Sequence, residues 1–223
     1  MTAAVTAPPH TGERTGRIPM SEIEETLRRR MAAAEETLAD TVWDYAHFCQ
    51  REKVPERAIP RLERLAEYAS NPEMRAKLWL AIGQLNETQR TYGAAAQAYA
   101  RGNALEPSDT RVRYFLRNNE GYCLNQLEAY DLAEECLLDA IEIDPRRHNA
   151  HKNLGLALEG RGRYAEAADA FERAIESCPE DRRALNHLEE LAERDASLLE
   201  SERFTERVQH CRRLVTRARP EMH

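Results

Sequence analysis

Apolar and polar residues alternate along most of this chain with the period of an α-helix. From Ile23 to Tyr45 an apolar residue recurs every three or four positions, which predicts one apolar stripe on a helix running to about Arg51. Ser21 and Glu24 have the spacing of a capping box, so we expect this helix to begin at Ser21. The stripe needs a cover, either the first following helix pair or the same stripe of a second chain, because its spacing is close to a heptad seam. Its members are Ile23, Leu27, Met31, Ala34, Leu38, Val42 and Tyr45.

Further along the chain, four residue types return together at fixed steps. A glycine, a tyrosine, an alanine and a proline recur first at a step of 38 residues and then at a step of 34 residues. The sets are Gly83, Tyr92, Ala95 and Pro107; Gly121, Tyr130, Ala133 and Pro145; and Gly155, Tyr164, Ala167 and Pro179. Agreement across four residue types indicates a structural repeat. The four extra residues of the first step, which we place at 110–113, predict one added turn at the start of a helix.

The repeat is most complete between His148 and Asp181. Its marks are a glycine after a leucine, a turn, small and aromatic residues at helical spacing, and a closing proline: Leu154, Gly155, Gly162, Tyr164, Ala167, Phe171, Ala174 and Pro179. This pattern resembles the tetratricopeptide repeat. The resemblance implies an all-α, right-handed superhelix (α-solenoid) of helix-turn-helix repeats with flanking N- and C-terminal helices. Gly155 and Ala167 are expected where the two helices of the unit cross.

These patterns divide the chain into three parts. We expect a disordered N-terminal tail over 1–19, a repeat array over 20–195 and a C-terminal helix over 196–219. The array is predicted to hold units at about 39–75, 76–109, 114–147 and 148–181, and a capping helix at 182–195. The first unit is a degenerate copy of the repeat. Its Pro60 fits the second helix of the unit only if that helix starts late. The C-terminal helix has an apolar side, Phe204 to Val215, and an arginine-rich side that is either solvated or faces an acidic partner or an anionic surface.

Composition narrows the function class. The net charge of −7 argues against a nucleic-acid partner, because phosphate binding needs clustered Lys and Arg. No apolar stretch is long enough for a membrane-spanning helix and the N-terminus lacks the pattern of a secretory signal, so we expect a cytoplasmic protein. The five cysteines form no C-x-x-C pair and are expected to be reduced thiols.

No motif indicates catalysis. The stretch from Gly160 to Ala165 fits G-x-G-x-x-A, but a helical pattern runs into it where a dinucleotide site requires a strand. His148 and His151 lie one helical turn apart and could belong to a metal site, yet no third ligand accompanies them, and surface histidines are the simpler interpretation. We therefore expect a protein that is not an enzyme and that uses no cofactor or metal.

The resemblance also implies where a partner binds, in a concave groove lined by the first helices of successive units. Asparagine amides there can pair with the backbone of an extended peptide, and Lys or Arg can bind a carboxylate. The candidate groove residues are Lys77, Gln84, Asn118, Asn119, Tyr122, Gln126, Asn149, Lys152, Asn153, Arg183 and Asn186. One subset of the family grips a partner's C-terminal carboxylate with two lysines, two asparagines and an arginine. This chain departs from that pattern, so binding in that form is not predicted.

The leading hypothesis is a non-enzymatic adaptor that binds a partner peptide or helix in the groove. One alternative is a cytoplasmic chaperone for a secretion or assembly substrate. The resemblance implies this role because small acidic tetratricopeptide repeat proteins with N-terminal helices serve bacterial secretion in this way. Another is a self-assembling scaffold, a homo-oligomer formed through the terminal helices.

Overall fold

The computed structural model describes residues 20–218, so the predicted tail 1–19 lies outside the described residues. Within that range the regular secondary structure is entirely helical, without a strand. The all-α prediction is confirmed. The helices are α1 (Met20–Arg51), α2 (Ile59–Tyr68), α3 (Pro72–Thr88), α4 (Tyr92–Asn103), α5 (Thr110–Gln126), α6 (Tyr130–Ile143), α7 (His148–Gly160), α8 (Tyr164–Ser177), α9 (Arg183–Arg194) and α10 (Glu202–Ala218). Short 3₁₀ turns lie at Pro55–Arg57 and Ala196–Glu200.

Consecutive helices pack as pairs that stack into a solenoid. The most extensive contacts join α3 to α4, α5 to α6 and α7 to α8, and each pair also contacts the next. The helices α1, α3, α5 and α7 contact one another in that order, so the first helices of successive pairs form one layer. At the C-terminal end, α9 packs on α8, and α10 contacts both.

Glycines lie where the two helices of each pair cross, as the repeat predicts. A Cβ added to any of three glycines would lie under 3.0 Å from a buried side chain of the second helix. A real Cβ does not fit at that distance, so the close approach of the helices depends on the absent side chain. The pairs in contact are Gly83 with Tyr99, Gly121 with Leu137, and Gly155 with Phe171.

The turn inside each pair has one residue with positive φ. Gly162 has φ 72°, which confirms the turn predicted at this glycine, and the two preceding pairs have Arg90 and Glu128, each with φ 58°, at the same place. In all three turns the next residue donates its N–H to a carbonyl five positions back, on the preceding helix. This bond satisfies a carbonyl that the helix end would otherwise leave unpaired.

The added turn predicted at 110–113 is present, because α5 begins at Thr110 and has 17 residues whereas α7 has 13. Asp109 caps α5 by accepting from the N–H groups of Arg111 and Val112. The helix α3 is equally long, and its Glu73 carboxylate accepts hydrogen bonds from the Ser108 N–H and hydroxyl. The starts of the two long helices are thereby tied together.

Two expectations about helix starts have different outcomes. Pro60 is the second residue of α2, so this helix starts late as its proline requires. Helix α1 is described from Met20 onwards, and the residues before it lie outside the described part of the chain, so the capping box at Ser21 and Glu24 stays a prediction.

The C-terminal helix covers the end of the stack. Its apolar side packs against α8 and α9, burying Phe204, Cys211 and Val215. Arg207 inserts between Asp169 and Glu172 of α8, with 9% of its side chain exposed. The apolar stripe of α10 is therefore occupied by this chain's own core, and part of its basic side neutralises carboxylates of α8.

Candidate functional site

The eleven predicted groove residues fall into accessible and buried groups. Asn118 and Asn153 are buried, at 7% and 4% exposure, so the expectation that both present free amides in the groove is wrong. The other candidates are exposed or half-buried on α3, α5, α7 and α9, and we call them together the first-helix face. They are Lys77, Gln84, Asn119, Tyr122, Gln126, Asn149, Lys152, Arg183 and Asn186.

The buried asparagines belong to a chain of hydrogen bonds beneath this face. Asn153 of α7 donates its amide to Asn118 of α5 at 3.1 Å, and Asn125 of α5 donates to the Asn153 backbone carbonyl at 2.8 Å. Asn118 donates in turn to Asn119 at 2.9 Å. These bonds join α7 to α5, so the two buried amides position the first helices. Asn119 is the member that reaches the accessible face.

The chain of bonds continues to an acidic end on α3. Asn119 lies 3.5 Å from the Tyr99 hydroxyl, and that hydroxyl donates to the Glu87 carboxylate at 2.9 Å. Burial raises the pKa of Glu87, and burial together with the Glu87 charge raises the pKa of Tyr99. Tyr122 packs edge-on against Tyr92, and burial raises the pKa of Tyr122 to about 12. This end of the first-helix face offers phenols and a carboxylate.

The opposite end, on α7 and α9, carries a different balance of charge. The Asp181 carboxylate binds the Arg183 guanidinium at 2.6 Å and the His148 ring at 3.3 Å. Arg183 holds the pKa of Asp181 well below its usual range, and burial lowers the pKa of His148. Arg183, a candidate for binding a partner's carboxylate, is therefore already paired with a carboxylate of its own chain.

Lys152 is a cation of this end that has no ion pair with the described side chains. Its side chain is half-buried, and no carboxylate of residues 20–218 lies within ion-pair distance of its ammonium. Burial lowers the pKa of Lys152 and the nearby Arg183 charge lowers it further, whereas the Asp181 charge raises it by less than burial lowers it. Asn149, three residues earlier on α7, lies on the same side of the helix. An ammonium and an amide at this spacing can together bind one carboxylate.

Sequence reasoning missed Asn125, Glu87 and Asp181. Asn125 follows Asn118 by seven residues, so both side chains lie on the same face of α5. This spacing is the signal by which Asn125 could have been predicted. Asp181 lies just before α9, where its carboxylate accepts from the Arg183 N–H at 3.1 Å. An aspartate at this position is a common start signal for a helix.

The two histidines considered for a metal site have protein partners. The His148 ring faces Asp181, and a ring nitrogen of His151 lies 2.8 Å from the Pro145 carbonyl oxygen. Across the described residues, the ligand-type group close enough to hold an ion is Glu172, Glu176 and His210, between α8 and α10. The Arg207 guanidinium already binds Glu172 there at 2.8 Å.

The remaining expectations concern membranes and cysteines. No helix between residues 20 and 218 combines the length and apolar character needed to cross a membrane. The five cysteines are free thiols, and only Cys178 is not fully buried. Burial raises the pKa of Cys123, Cys136 and Cys211 to about 12. These thiols therefore pack as small apolar groups.

Comparison with known proteins supports the repeat. The family model described as the tetratricopeptide repeat matches residues 51–109 and 120–182, more than half of the chain. Small glutamine-rich tetratricopeptide repeat-containing protein 2 of Mycosarcoma maydis is 34% identical over 99 residues, which span 44% of this chain and 27% of that protein. The matched region is thus about a quarter of that relative's length.

Solved structures share the fold at lower identity. A structure of MamA residues 41-end from Desulfovibrio magneticus RS-1 is 20% identical, with a TM-score of 0.63 over 82% of this chain and 97% of that chain. The second domain of this repeat type from human RPAP3, solved in complex with the HSP70 peptide SGPTIEEVD, is 24% identical with a TM-score of 0.50, covering 54% of this chain and 98% of that chain.

Proposed function

This chain belongs to the tetratricopeptide repeat family, and from that premise we propose that it is a non-enzymatic adaptor that binds an acidic segment of a partner protein on its first-helix face. Repeats of this family are typically interaction modules rather than catalysts. The acidic side chain or terminal carboxylate of the partner binds at Lys152 and Asn149. The segment then extends along α5 towards Tyr122.

The half-buried Lys152 ammonium carries this proposal. A cation that is partly removed from water and has no counter-ion is unfavourable unless a ligand supplies the missing charge. The neighbouring Asp181 supplies it only in part, because its carboxylate forms ion pairs with Arg183 and His148 and only partly offsets the effect of burial on Lys152. A partner carboxylate at Lys152 would complete the site, and a charge-assisted hydrogen bond contributes about 1.5–3 kcal/mol.

The far end of the face favours one orientation of the ligand. Glu87 of α3 lies near Tyr122 of α5, because the Tyr99 hydroxyl donates to Glu87 and accepts from Asn119, which is one helical turn before Tyr122. A second carboxylate placed there would meet like charge, whereas an amide or hydroxyl could bond to these acceptors. The partner segment therefore binds with its acidic residue towards α9 and a neutral polar residue towards α3.

One fold neighbour supports the class of partner. The RPAP3 domain was solved with SGPTIEEVD, a peptide with acidic residues near its C-terminus. That domain is similar to this chain in fold, and the present proposal depends on Lys152 rather than on that likeness. It also differs from the carboxylate-gripping subset of the family, because Asn118 is buried here.

Selection from a displayed library of random peptides tests the proposal. The full-length chain should enrich peptides containing Asp or Glu, and Lys152→Glu should abolish their binding. Lys53→Glu is the matched control, because it makes the same charge change at an exposed lysine outside the first-helix face. Enrichment of neutral or basic peptides, or equal loss of binding in both variants, would show that the partner is recognised elsewhere.

We further propose that this binding takes place in the cytoplasm. The free cysteines support this location, because reducing compartments keep thiols unpaired.

A further inference from the structure

Three side chains of the kind that binds metal ions meet where the C-terminal helix packs on the stack. Glu172 and Glu176 lie four residues apart on α8, so both carboxylates are on the same side of that helix. His210 of α10 joins them, because α10 packs against α8. One ligand atom of each residue lies within 4.8 Å of the other two, and the His210 Nε2 atom is 3.9 Å from a Glu176 oxygen. The contact between two helices thus brings one imidazole and two carboxylates together.

The distances between these atoms are close to those of a zinc site. Zinc bonds to imidazole nitrogen and carboxylate oxygen are about 2.0–2.2 Å long, so two ligand atoms of a tetrahedral site lie about 3.4 Å apart. The three atoms here need to move by only about 1 Å to share one ion. Side-chain rotation can supply this movement, because the side chains of Glu176 and His210 are 53% and 45% exposed. The backbones of α8 and α10 can keep their positions.

The carboxylates of α8 at this place outnumber the cations that neutralise them. Arg207 of α10 binds both Asp169 and Glu172, so one guanidinium is shared by two carboxylates. Arg203 approaches Asp169 only to 3.9 Å, with 83% of its side chain exposed, and a pair of this kind contributes little. Glu176 has no arginine or lysine partner among the described residues. A divalent ion beside Glu176 would therefore meet an excess of negative charge.

The Glu172 carboxylate is held in a way that suits a metal ligand. The Arg207 Nε donates to one oxygen of Glu172 at 2.8 Å, and only 9% of the Arg207 side chain is exposed. This bond fixes the carboxylate and leaves its second oxygen to an ion, as outer hydrogen bonds commonly do for metal ligands. Glu206 and Arg213 line the adjoining surface depression, and their opposite charges offset each other. The excess of carboxylates around the site is therefore retained.

We propose that Glu172, Glu176 and His210 bind one zinc ion that fastens α10 to α8. The imidazole ligand favours zinc over calcium and magnesium, which prefer sites built from oxygen ligands alone. Three protein ligands leave the fourth position to water, which can reach it because Glu172 and His210 line a surface depression. The ion would hold the C-terminal helix in addition to its buried apolar side. The sequence alone does not predict this site, because His210 reaches the two glutamates only when α10 packs on α8.

Titration calorimetry of the full-length chain with zinc chloride tests the proposal, after a chelator has stripped the chain of metal and has itself been removed. The wild type should bind zinc. His210→Ala and Glu176→Gln should each weaken this binding by more than about tenfold, because loss of a residue that merely positions a metal ligand already costs about 10–100-fold. Both side chains are half-exposed, so circular dichroism of the variants should match the wild type. A wild type without measurable zinc binding, or a His210→Ala variant with the wild-type affinity, overturns the proposal.

Two control variants separate this site from other histidines and from the proposed partner site. His47→Ala removes an exposed imidazole of α1 and should keep the wild-type affinity for zinc. Lys152→Met should keep it as well, because the partner site lies on the first-helix face whereas the zinc site lies between α8 and α10. Weaker zinc binding in either control would mean that the ion binds elsewhere.

Limited proteolysis, with a protease that zinc does not inhibit, tests whether the ion fastens α10 to α8. Zinc at ten times its dissociation constant should slow cleavage between α9 and α10 of the wild type by about tenfold, because cleavage requires α10 to detach. His210→Ala should be cleaved at the same rate with and without zinc, and magnesium at the same concentration should slow neither chain. Equal slowing of both chains by zinc contradicts the proposed site.

Discussion

Gly155→Ala tests whether the crossing glycines hold the repeat together. The new Cβ would lie 2.6 Å from Cδ1 and 2.8 Å from Cζ of Phe171, where an ordinary contact requires 3.4 Å or more. Phe171 is fully buried and stacks on the His187 ring, so it cannot withdraw without disturbing α9. Overpacking of this kind costs about 1–3 kcal/mol. The intrinsic gain of alanine over glycine in a helix returns up to about 1 kcal/mol.

Gly93→Ala is the matched control. Gly93 also lies in a helix, α4, but a Cβ there would meet nothing within 4 Å. The free energy of unfolding of Gly93→Ala should equal that of the wild type or exceed it by up to about 1 kcal/mol. Gly155→Ala should therefore be less stable than Gly93→Ala by about 1–3 kcal/mol. Thermal unfolding followed by circular dichroism measures this difference, at about 2–4 °C per kcal/mol for a domain of this size. Equal shifts in the two variants would refute the assigned role of the crossing.

Three further substitutions test the polar interior, the unpaired cation and the C-terminal cover. Asn153→Ala removes the donor to the buried Asn118 amide oxygen and should lower the free energy of unfolding by about 1–3 kcal/mol in a urea titration. Lys152→Met should raise stability at neutral pH, because burial lowers the pKa of the lysine in the folded state. For the same reason wild-type stability should rise with pH between that lowered pKa and the ordinary value of 10.5, and the variant should lose this increase. Arg207→Met leaves Glu172 without its cation and should cost about 1–3 kcal/mol, seen as faster proteolysis of the C-terminal helix.

Local rules explain which features could be predicted from the sequence. The contact of Gly155 with Phe171 and the turn at Gly162 depend on sterics and on backbone φ, which act within one unit. The added turn of α5 follows from a count of residues between repeated positions. Such features are readable wherever the spacing of the repeated residues is clear.

Which candidate residues are accessible in the groove depends on how neighbouring helices pack. The spacing of residues along one helix does not give this packing. Asn118 and Asn153 are polar residues on first helices, so the sequence alone predicts that they line the groove. Their contact joins residues 35 positions apart, and it forms because α5 and α7 pack against each other in the stack. Likewise, Lys152 is unpaired because Asp181 binds Arg183 and His148, a competition decided by the tertiary structure.

The position along α1 where its apolar stripe becomes buried could also be found only from the structure. The apolar stripe runs without a break from Ile23 to Tyr45, although the side chains of Ile23 and Val42 lie outside the described residues. Only the layer formed by α1 and α3 shows that, among the described side chains of α1, burial begins near Tyr45.

A double-mutant cycle between Lys152 and the acidic residue of a selected peptide tests the central claim most directly. Affinity would be measured by titration calorimetry for the wild type and for Lys152→Met, each with the acidic peptide and with its amide counterpart. Thermal unfolding of Lys152→Met, which is expected to be at least as stable as the wild type, separates a loss of affinity from a loss of fold. We predict a coupling energy of about 1.5–3 kcal/mol, which is roughly tenfold or more in affinity. A coupling energy within about 0.3 kcal/mol of zero would mean that Lys152 does not contact the acidic residue.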